Sequence, residues 1–290
     1  MLRLSITKTP KVYIGGSFVR SESNNVFPIV IKKGRSRKFF ANIPQCTRKD
    51  LRNAVEAAAR AGPGWKKRTA YNRGQILYRL AEMMENRNSE LSEAIAMTGN
   101  VSTAQARKEV ITSIDRIVYY AGWTDKFEQV LGSTNPVAAP YFNFTIPEPM
   151  GVIGIIASDH SPLLGLLSQL IPAILSGNTT VALCSETVPY PTILLGELLA
   201  TSDIPAGVIN LLTGFRNELI STFGTHAHIR GLDIADPTKE AEIEIGKNAA
   251  KSIKRVHIRH QPNWNQKGIQ NLYEIENFIE LKTTWHPIGA

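Results

Sequence analysis

The chain has 290 residues, enough for one large α/β domain or two smaller ones. Hydrophobic residues make up 43% and charged residues 20%, which excludes a disordered protein and predicts a sizeable core. No apolar run reaches the roughly 18 residues of a spanning helix, and the first residues are too interrupted for a signal peptide. We therefore expect a cytoplasmic protein without a membrane anchor. The two cysteines are too few for a disulfide framework or a four-cysteine metal site.

The net charge of +8 is concentrated in three runs, at residues 32–38, 65–68 and 251–260. Such runs usually form solvated faces. A nucleic-acid interface would need aromatic residues between the cations or a recognisable module, and the sequence has neither. Nucleic-acid binding is therefore a minor hypothesis.

The first half of the chain is predicted to be mainly helical. Thr47 and Asp50 have the spacing of a capping box ahead of a helical apolar pattern, so a helix is expected to begin there and to end at the GPGW sequence. The other predicted elements are strands at 12–19 and 37–43 around a basic loop, a helix over 72–96 stopped by TGN at 98–100, and a helix over 104–127.

The second half changes to an alternating pattern and then to buried strands. Residues 141–149, YFNFTIPEP, predict an exposed β-ribbon. Apolar strands and helices then alternate, which indicates parallel βαβ units with both faces of the sheet covered. Ligands of such sheets bind beyond the carboxyl ends of the strands. The strands are predicted in 150–157, 179–183 and 207–214, with helices ending near Ser176 and over 190–201, and with edge loops at 157–162, 184–187 and 213–216.

Several motifs resemble the NAD(P)-dependent aldehyde dehydrogenases. Those of the cofactor domain are EPMGVIGII, PAILSGNTTVALCSE and IPAGVINLLTG, and AVEAAARAGPGW, RGQILYRLAEMME and IDRIVYYAGWTDKF are similar to the family's helical region. The likeness runs in order from residue 12 to about 256. It implies a doubly wound parallel (Rossmann-like) α/β sheet preceded by a helical N-terminal region.

The tail extends the resemblance. Residues 268–285 are similar to the family's closing strand, which crosses to a neighbouring subunit beside the ribbon. The family's catalytic domain, which should precede that strand, is missing. We expect an NAD(P)-binding-type domain over 1–264, interrupted by the arm ribbon at 137–149, and a C-terminal arm strand at 265–290. The pattern is most similar to the truncated second unit of the two-unit aldehyde dehydrogenases of family 16.

The positions that resemble the family's catalytic groups carry other residues. Neither Cys46 nor Cys184 matches the nucleophile, and His160 replaces the asparagine that binds the oxyanion. Arg259 replaces the general-base glutamate, and arginine cannot act as a base near neutral pH. No catalytic residue is therefore predicted.

The resemblance implies six cofactor-binding positions, which are Ile156, Ala157, Ser158, Ser185, Glu186 and Gly214. Leu183 replaces a lysine that approaches the ribose, a loss of about 1.5 to 3 kcal/mol. Arg216 falls on a glycine, and Asp236 with Pro237 predicts an N-cap where the pyrophosphate would lie. NAD or NADP binding is expected to be weakened.

Two groups of polar residues allow other interpretations of the function. Residues 158–161, Ser-Asp-His-Ser, could form a hydrolytic cluster, but activated serines recruit their base from elsewhere in the fold. The histidine pairs at 226 and 228 and at 257 and 260 could suggest a metal, but no cysteine or carboxylate cluster accompanies them. Structural roles are expected for both, and no metal.

The sequence therefore predicts an aldehyde-dehydrogenase-like pseudoenzyme without aldehyde oxidation of its own. It would act by assembly, as a homo-oligomer or with an active aldehyde dehydrogenase chain. The alternative is an oxidoreductase that acts on aldehydes with NAD(P), as a fragment or with a nucleophile from a partner chain.

Overall fold

The structure is a computed structural model that describes residues 8–33 and 36–289. The strands are β1 (Val12–Ile14), β2 (Ser17–Val19), β3 (Val26–Lys33), β4 (Ser36–Pro44), β5 (Ser133–Asn135), β6 (Tyr141–Pro149), β7 (Val152–Ile156), β8 (Thr179–Leu183), β9 (Ile209–Leu212), β10 (Ile229–Ala235), β11 (Arg255–Arg259) and β12 (Ile279–Pro287). The helices are α1 (Arg48–Lys67), α2 (Ala70–Asn86), α3 (Asn88–Gly99), α4 (Thr103–Ala121), α5 (Phe127–Leu131), α6 (Pro162–Leu175), α7 (Tyr190–Leu199), α8 (Arg216–Thr225), α9 (Lys239–Ala250) and α10 (Tyr273–Glu276).

A seven-stranded sheet forms the centre of the molecule, in the order β11-β10-β7-β8-β9-β1-β2. The five strands from β11 to β9 pair in parallel, whereas the β1–β2 hairpin adds antiparallel strands at one edge. The predicted doubly wound parallel sheet is confirmed. β7 and β8 are buried at every residue, which agrees with the apolar sequence of β7 and the mainly apolar sequence of β8.

Helices cover both faces of this sheet. One core includes apolar side chains of α2, α3, α4, α6 and α7, and the other includes those of α1, α8 and α9. All residues of α6 are buried, because this helix lies between the sheet and α4. The carboxyl ends of the parallel strands therefore meet at one edge between two helical layers, where the predicted ligand loops lie.

Helix α1 begins at the predicted capping box. The Thr47 amide donates to the Asp50 carboxylate over 2.7 Å, and the Thr47 hydroxyl accepts from the Lys49 amide over 3.2 Å. The prediction that the GPGW sequence ends this helix is wrong, because α1 continues through Pro63 to Lys67. Trp65 is buried and its indole N–H donates to the Ile174 carbonyl over 2.8 Å, so a tertiary contact outweighs the cost of the proline.

Two predicted helices have different boundaries in the structure. The helix expected over 72–96 is divided into α2 and α3 at Arg87, which leaves helical geometry with φ −112° and ψ 20°. The Arg87 side chain there pairs with Glu90 and Glu197. The helix expected over 104–127 ends at Ala121, and turns precede α5. The predicted stop at 98–100 is confirmed, since Asn100 is left-handed with φ 53°.

The amino-terminal strands also differ from the prediction. Residues 12–19 form a hairpin rather than one strand, and its turn contains Gly15 and Gly16. The predicted basic loop contains β3, which pairs antiparallel with β4. Strand β3 was not predicted because its apolar side chains, such as Ile29, pack against residues of α7, which are far along the chain. Gly34 and Arg35 of the basic run lie outside the described residues.

The predicted ribbon and closing strand form a separate three-stranded sheet, in the order β12-β6-β5. We call it the arm sheet. β12 pairs antiparallel with β6 over its full length, from Ile279 opposite Pro149 to Pro287 opposite Tyr141. The expectation of a strand over 268–285 is partly wrong, because a 3₁₀ turn and α10 precede β12. Buried Ile275 and Phe278 fix this segment in the main core.

Candidate functional site

The candidate site lies at the carboxyl edge of the sheet, where the loops after β7, β8, β9 and β10 meet. Asp159 joins the first two loops. Its Oδ1 accepts hydrogen bonds from the Ser185 hydroxyl over 2.7 Å and from the amides of Glu186 and Thr187 over 2.8 and 3.1 Å. Burial disfavours ionisation of Asp159, but the Arg216 guanidinium and these donors outweigh it and hold the pKa of the carboxyl below its usual value.

Arg216 joins the first and third loops across the same edge. It is the first residue of α8, and its guanidinium donates to the Ala157 carbonyl and lies 3.3 Å from Asp159 Oδ2. Its own backbone amide donates to Glu186 Oε2 over 2.9 Å, so the Glu186 carboxylate caps α8. Arg216, Asp159 and Glu186 therefore link three loops through hydrogen bonds and an ion pair.

Ser158 and Asp236 join the first and fourth loops. The Ser158 hydroxyl donates to Asp236 Oδ2 over 2.8 Å, and Asp236 Oδ1 accepts from the Gln261 amide over 2.8 Å. The prediction that Asp236 caps the next helix is wrong, because Thr238 is the N-cap of α9 and its hydroxyl accepts from the Ala241 amide. Asp236 instead adopts φ 49°, which directs its carboxylate back to the loops.

A cavity of about 350 Å³ lies beside these links, between the ends of β7 and β10 and the helices α8 and α9. Of the six predicted cofactor positions, Ile156 and Glu186 line this cavity. Ala157, Ser158 and Ser185 lie in the loops and use their polar atoms in the hydrogen bonds described above. Gly214 packs instead against Cys46, whose backbone atoms would lie 3.4 Å from an added Cβ.

His160, which the sequence resemblance matches to the family's oxyanion-binding asparagine, is exposed and lines a second cavity of about 450 Å³. Glu109 of α4 also lines it and accepts from the Leu163 and Leu164 amides at the start of α6, over 2.9 and 3.2 Å. Burial raises the pKa of Glu109, although both amides act in the opposite direction. Sequence reasoning missed this contact because the two partners are more than 50 residues apart.

Arg259, which the sequence resemblance matches to the family's general-base glutamate, belongs to a buried ion cluster. Its Nε and Nη2 donate to the two Asp233 oxygens, each over 2.7 Å, and Nη2 also donates to Glu274 over 2.5 Å. Its guanidinium lies 5.7 Å from the Trp264 ring centroid. Burial opposes the charge, but both carboxylates raise the pKa of Arg259, so it stays a cation that attaches the C-terminal segment to the sheet.

Neither cysteine has the properties of an activated thiol. Burial raises the pKa of Cys184 to about 12 and also raises the pKa of Cys46. Within residues 8–33 and 36–289, no three His, Cys, Asp or Glu side chains are grouped so that they could hold a metal ion. The described ranges also contain no helix of the length and apolar character that a membrane crossing requires.

The Ser158-Asp159-His160-Ser161 sequence does not assemble a hydrolytic cluster. The Ser158 hydroxyl donates to Asp236 and accepts from the His160 backbone amide over 3.0 Å, not from its ring. The Asp159 carboxylate is directed to the β8 loop and Arg216. A nucleophile–base–carboxylate chain therefore does not form among these four residues.

A doubly wound parallel sheet with helices on both faces defines a Rossmann-like α/β protein, in which ligand loops lie at the carboxyl edge of the sheet. The pattern of the Aldehyde dehydrogenase family matches residues 18–260. The chain belongs to that family.

Sequence and structural relatives agree with this assignment. Retinal dehydrogenase 2 of Homo sapiens is 30% identical over 255 residues, which are 87% of this chain and 48% of the relative. Mitochondrial benzaldehyde dehydrogenase of Antirrhinum majus is 30% identical over 252 residues, or 86% of this chain and 46% of the relative. An NAD⁺ complex of a Bacillus cereus aldehyde dehydrogenase superposes with a TM-score of 0.81 at 26% identity, covering 87% of this chain and 51% of that one. The chain spans about half the length of these relatives.

Proposed function

We propose that this chain is an aldehyde-dehydrogenase-like pseudoenzyme that does not oxidise aldehydes itself and acts by assembly. It would associate with a second copy or with an active aldehyde dehydrogenase through residues 265–290 and the ribbon at 137–149. The observation that carries the proposed loss of activity is the position of Arg216. This residue crosses the carboxyl edge and pairs with Asp159 and the Ala157 carbonyl.

The polar groups at this edge do not suit a dinucleotide. Asp159, Glu186 and Asp236 bring three carboxylates to the edge, whereas a pyrophosphate needs donors and positive charge. The cation among these linked residues, Arg216, is already paired with Asp159. The first turn of α9 also uses its own Thr238 hydroxyl as a cap. A bound cofactor would have to break several of these hydrogen bonds, which supports weak or no binding of NAD or NADP.

The thiols also support a chain without its own chemistry. A nucleophilic cysteine has a lowered pKa and access to substrate, whereas Cys46 and Cys184 are buried and have raised pKa values. Arg259, where the family has its base, is held as a cation by Asp233 and Glu274. These contacts favour a structural role for the positions that resemble catalytic ones.

The arm sheet supports the assembly role. It has three strands and exposes large apolar side chains on both faces, with Tyr141 and Trp285 on one face and Phe142 and Ile146 on the other. Contiguous exposed apolar surface usually marks an interaction site. β12 also forms one edge of this sheet, where a further strand could pair.

The assembly role is tested with Trp285→Glu. Because Trp285 is 58% exposed, the charge should leave the fold intact and should convert an oligomer into a monomer in light scattering. Tyr71→Glu is the matched control, since Tyr71 is 68% exposed and belongs to α2, not to the arm sheet. An unchanged mass for Trp285→Glu, or an equal loss of mass in the control, would contradict the role of the arm.

The alternative, an oxidoreductase that acts on aldehydes with NAD(P) and takes its nucleophile from a partner chain, predicts hydride transfer. Mixing the purified chain with NAD or NADP and propanal, with and without an active aldehyde dehydrogenase, measures reduced cofactor by absorbance. We expect no reduced cofactor from the chain alone. We also expect that substitutions at Arg216 or Glu186 of this chain leave the turnover per active site of the partner unchanged. Turnover that is lost in Glu186→Gln would favour the alternative.

A further inference from the structure

The amino edge of the central sheet carries a cavity that the proposed pseudoenzyme function does not use. It has a volume of about 360 Å³ and lies at the amino ends of β7, β8 and β10, opposite the carboxyl-edge loops. These strands are neighbours in the sheet, and their first residues Val152, Thr179 and Ile229 lie side by side. Helix α1 forms the other wall, with Ala58, Gly62 and Lys66 one turn apart.

The walls of this cavity are apolar and fixed by hydrogen bonds. Thr179 Oγ1 donates to the Ala58 carbonyl over 3.0 Å and ties α1 to β8. The Gly151 amide donates to Asn178 Oδ1 over 2.8 Å, which holds the entry to β7. Pro63 and Met150 contribute apolar surface. The cavity is therefore preformed, as binding sites for small molecules usually are, and its size lies in their range.

An arginine and a histidine without carboxylate partners lie at the rim. Arg230 and His228 line the cavity and are exposed, and across residues 8–33 and 36–289 no carboxylate lies within ion-pair distance of either. Lys66, which also lines the cavity, is paired with Glu148 over 3.1 Å. The rim therefore carries positive charge that the described chain does not neutralise.

Two neighbouring titratable groups have lowered pKa values, mainly because they are partly buried. Burial and then the Arg230 charge lower the pKa of Lys254. Burial and then the charges of His228 and Lys254 lower the pKa of His226, against a smaller opposite effect of Glu56. In both cases the electrostatic contribution is smaller than that of burial and acts in the same direction.

We propose that this cavity binds a small carboxylic acid anion with an apolar body, such as an aromatic or short aliphatic acid. The carboxylate would contact Arg230 and His228 at the rim, and the body would pack on Pro63 and Met150 inside. Arginine offers a planar pair of donors that matches a carboxylate, which favours this head group. An anion without an apolar part would leave the inner walls unfilled, and an uncharged molecule would leave Arg230 unpaired.

Two glycines of α1 provide a matched pair of variants. Gly62 lines the cavity and an added Cβ there would meet nothing within 4 Å, so Gly62→Leu should project into the cavity without a clash. Gly64 also has nothing within 4 Å of an added Cβ, but it does not line the cavity. Both changes replace a helical glycine with a better helix former, but residue 62 precedes Pro63, where a Cβ disfavours helical geometry, so Gly62→Leu should lose some stability and Gly64→Leu should not.

The test is a calorimetric titration of the full chain with benzoate, with benzyl alcohol as the uncharged analogue and inorganic phosphate as the anion without an apolar body. We expect saturable benzoate binding and at least about tenfold weaker binding of the other two, the effect of losing one charge-assisted contact or the apolar contact. Arg230→Gln should weaken benzoate about tenfold, and Gly62→Leu should abolish binding. Gly64→Leu and Arg107→Gln, which changes an exposed arginine of α4 on the other face, should bind like the wild type.

Three results would overturn the proposal. The first is no saturation with benzoate, and the second is phosphate binding as tightly as benzoate. The third is benzoate binding that Gly62→Leu and Arg230→Gln leave unchanged, which would place the ligand elsewhere. Thermal unfolding of each variant identifies any loss of binding that comes from a loss of fold.

Discussion

The two edges of the central sheet differ in how their polar groups are used. At the carboxyl edge, Asp159, Arg216 and Glu186 bind one another and neighbouring amides. The hydrogen-bonding groups of these loops are therefore paired within the chain itself. At the amino edge, a cavity of similar volume keeps Arg230 and His228 without carboxylate partners in the described residues. The edge at which this class of sheet usually binds ligands is thus internally paired, while the opposite edge retains unused charge.

The carboxyl edge should depend most strongly on its buried ion cluster. Arg259→Met would leave Asp233, whose side chain is fully buried, without its bidentate partner. We expect a loss of about 3 to 5 kcal/mol in the free energy of unfolding, measured with urea, because an unpaired buried carboxylate is costly. Arg107→Met, at an exposed position, is the control. A loss of less than about 1 kcal/mol would mean that the cluster does not hold the C-terminal segment.

Asp159→Asn tests the link between the loops with a smaller expected effect. The change removes a charged acceptor of three hydrogen bonds, and we expect a loss of about 1 to 2 kcal/mol, since the side chain is 27% exposed and partly screened.

The same variant carries a pH signature. Because the folded protein lowers the pKa of Asp159, its contribution is present above the unfolded value of about 3.9 and is lost as the pH falls through the lower folded value. The difference in unfolding free energy between wild type and Asp159→Asn should therefore shrink below about pH 4. A difference that stays constant down to acid pH would exclude an ionised Asp159 as the source of the stability.

The amino edge should give the smallest effect. Thr179→Val keeps the shape of the side chain but removes the hydroxyl that donates to the Ala58 carbonyl. We expect a loss of about 1 kcal/mol in urea unfolding, the usual net value of one neutral hydrogen bond. Thr180→Val, in which the lost contact is longer at 3.4 Å, should cost less. A larger loss at 180 than at 179 would contradict the view that Thr179 fixes the cavity wall.

The fold could be predicted where local signals agree with the final packing. The capping box of Thr47 and Asp50 and the continuous apolar strands β7 and β8 carry their own signals, so their positions were predicted. The continuation of α1 through Pro63 could not be predicted, because the Trp65 contact that supports it is made with Ile174, more than 100 residues away. Long-range contacts override local preferences in such cases.

The candidate site was less predictable than the fold. The family resemblance identified Glu186 and the replacement of a glycine by Arg216, but it did not show that the two residues bind each other through the Arg216 amide. The role of Asp159 also depends on partners in two other loops. For Asp236, a local rule for helix caps predicted the wrong partner, because its two carboxylate oxygens accept hydrogen bonds from Ser158 and Gln261 instead.

The most direct test of the central claim, that the chain's own side chains close the carboxyl edge, is a calorimetric titration with NAD, repeated with NADP, on the wild type and on Arg216→Gly. We expect no saturable binding to the wild type at millimolar cofactor. Arg216→Gly restores the residue that resembles the family's pattern and removes the link to Asp159, so it should bind more tightly than the wild type. Saturable binding by the wild type that is unchanged in Arg216→Gly would contradict the account.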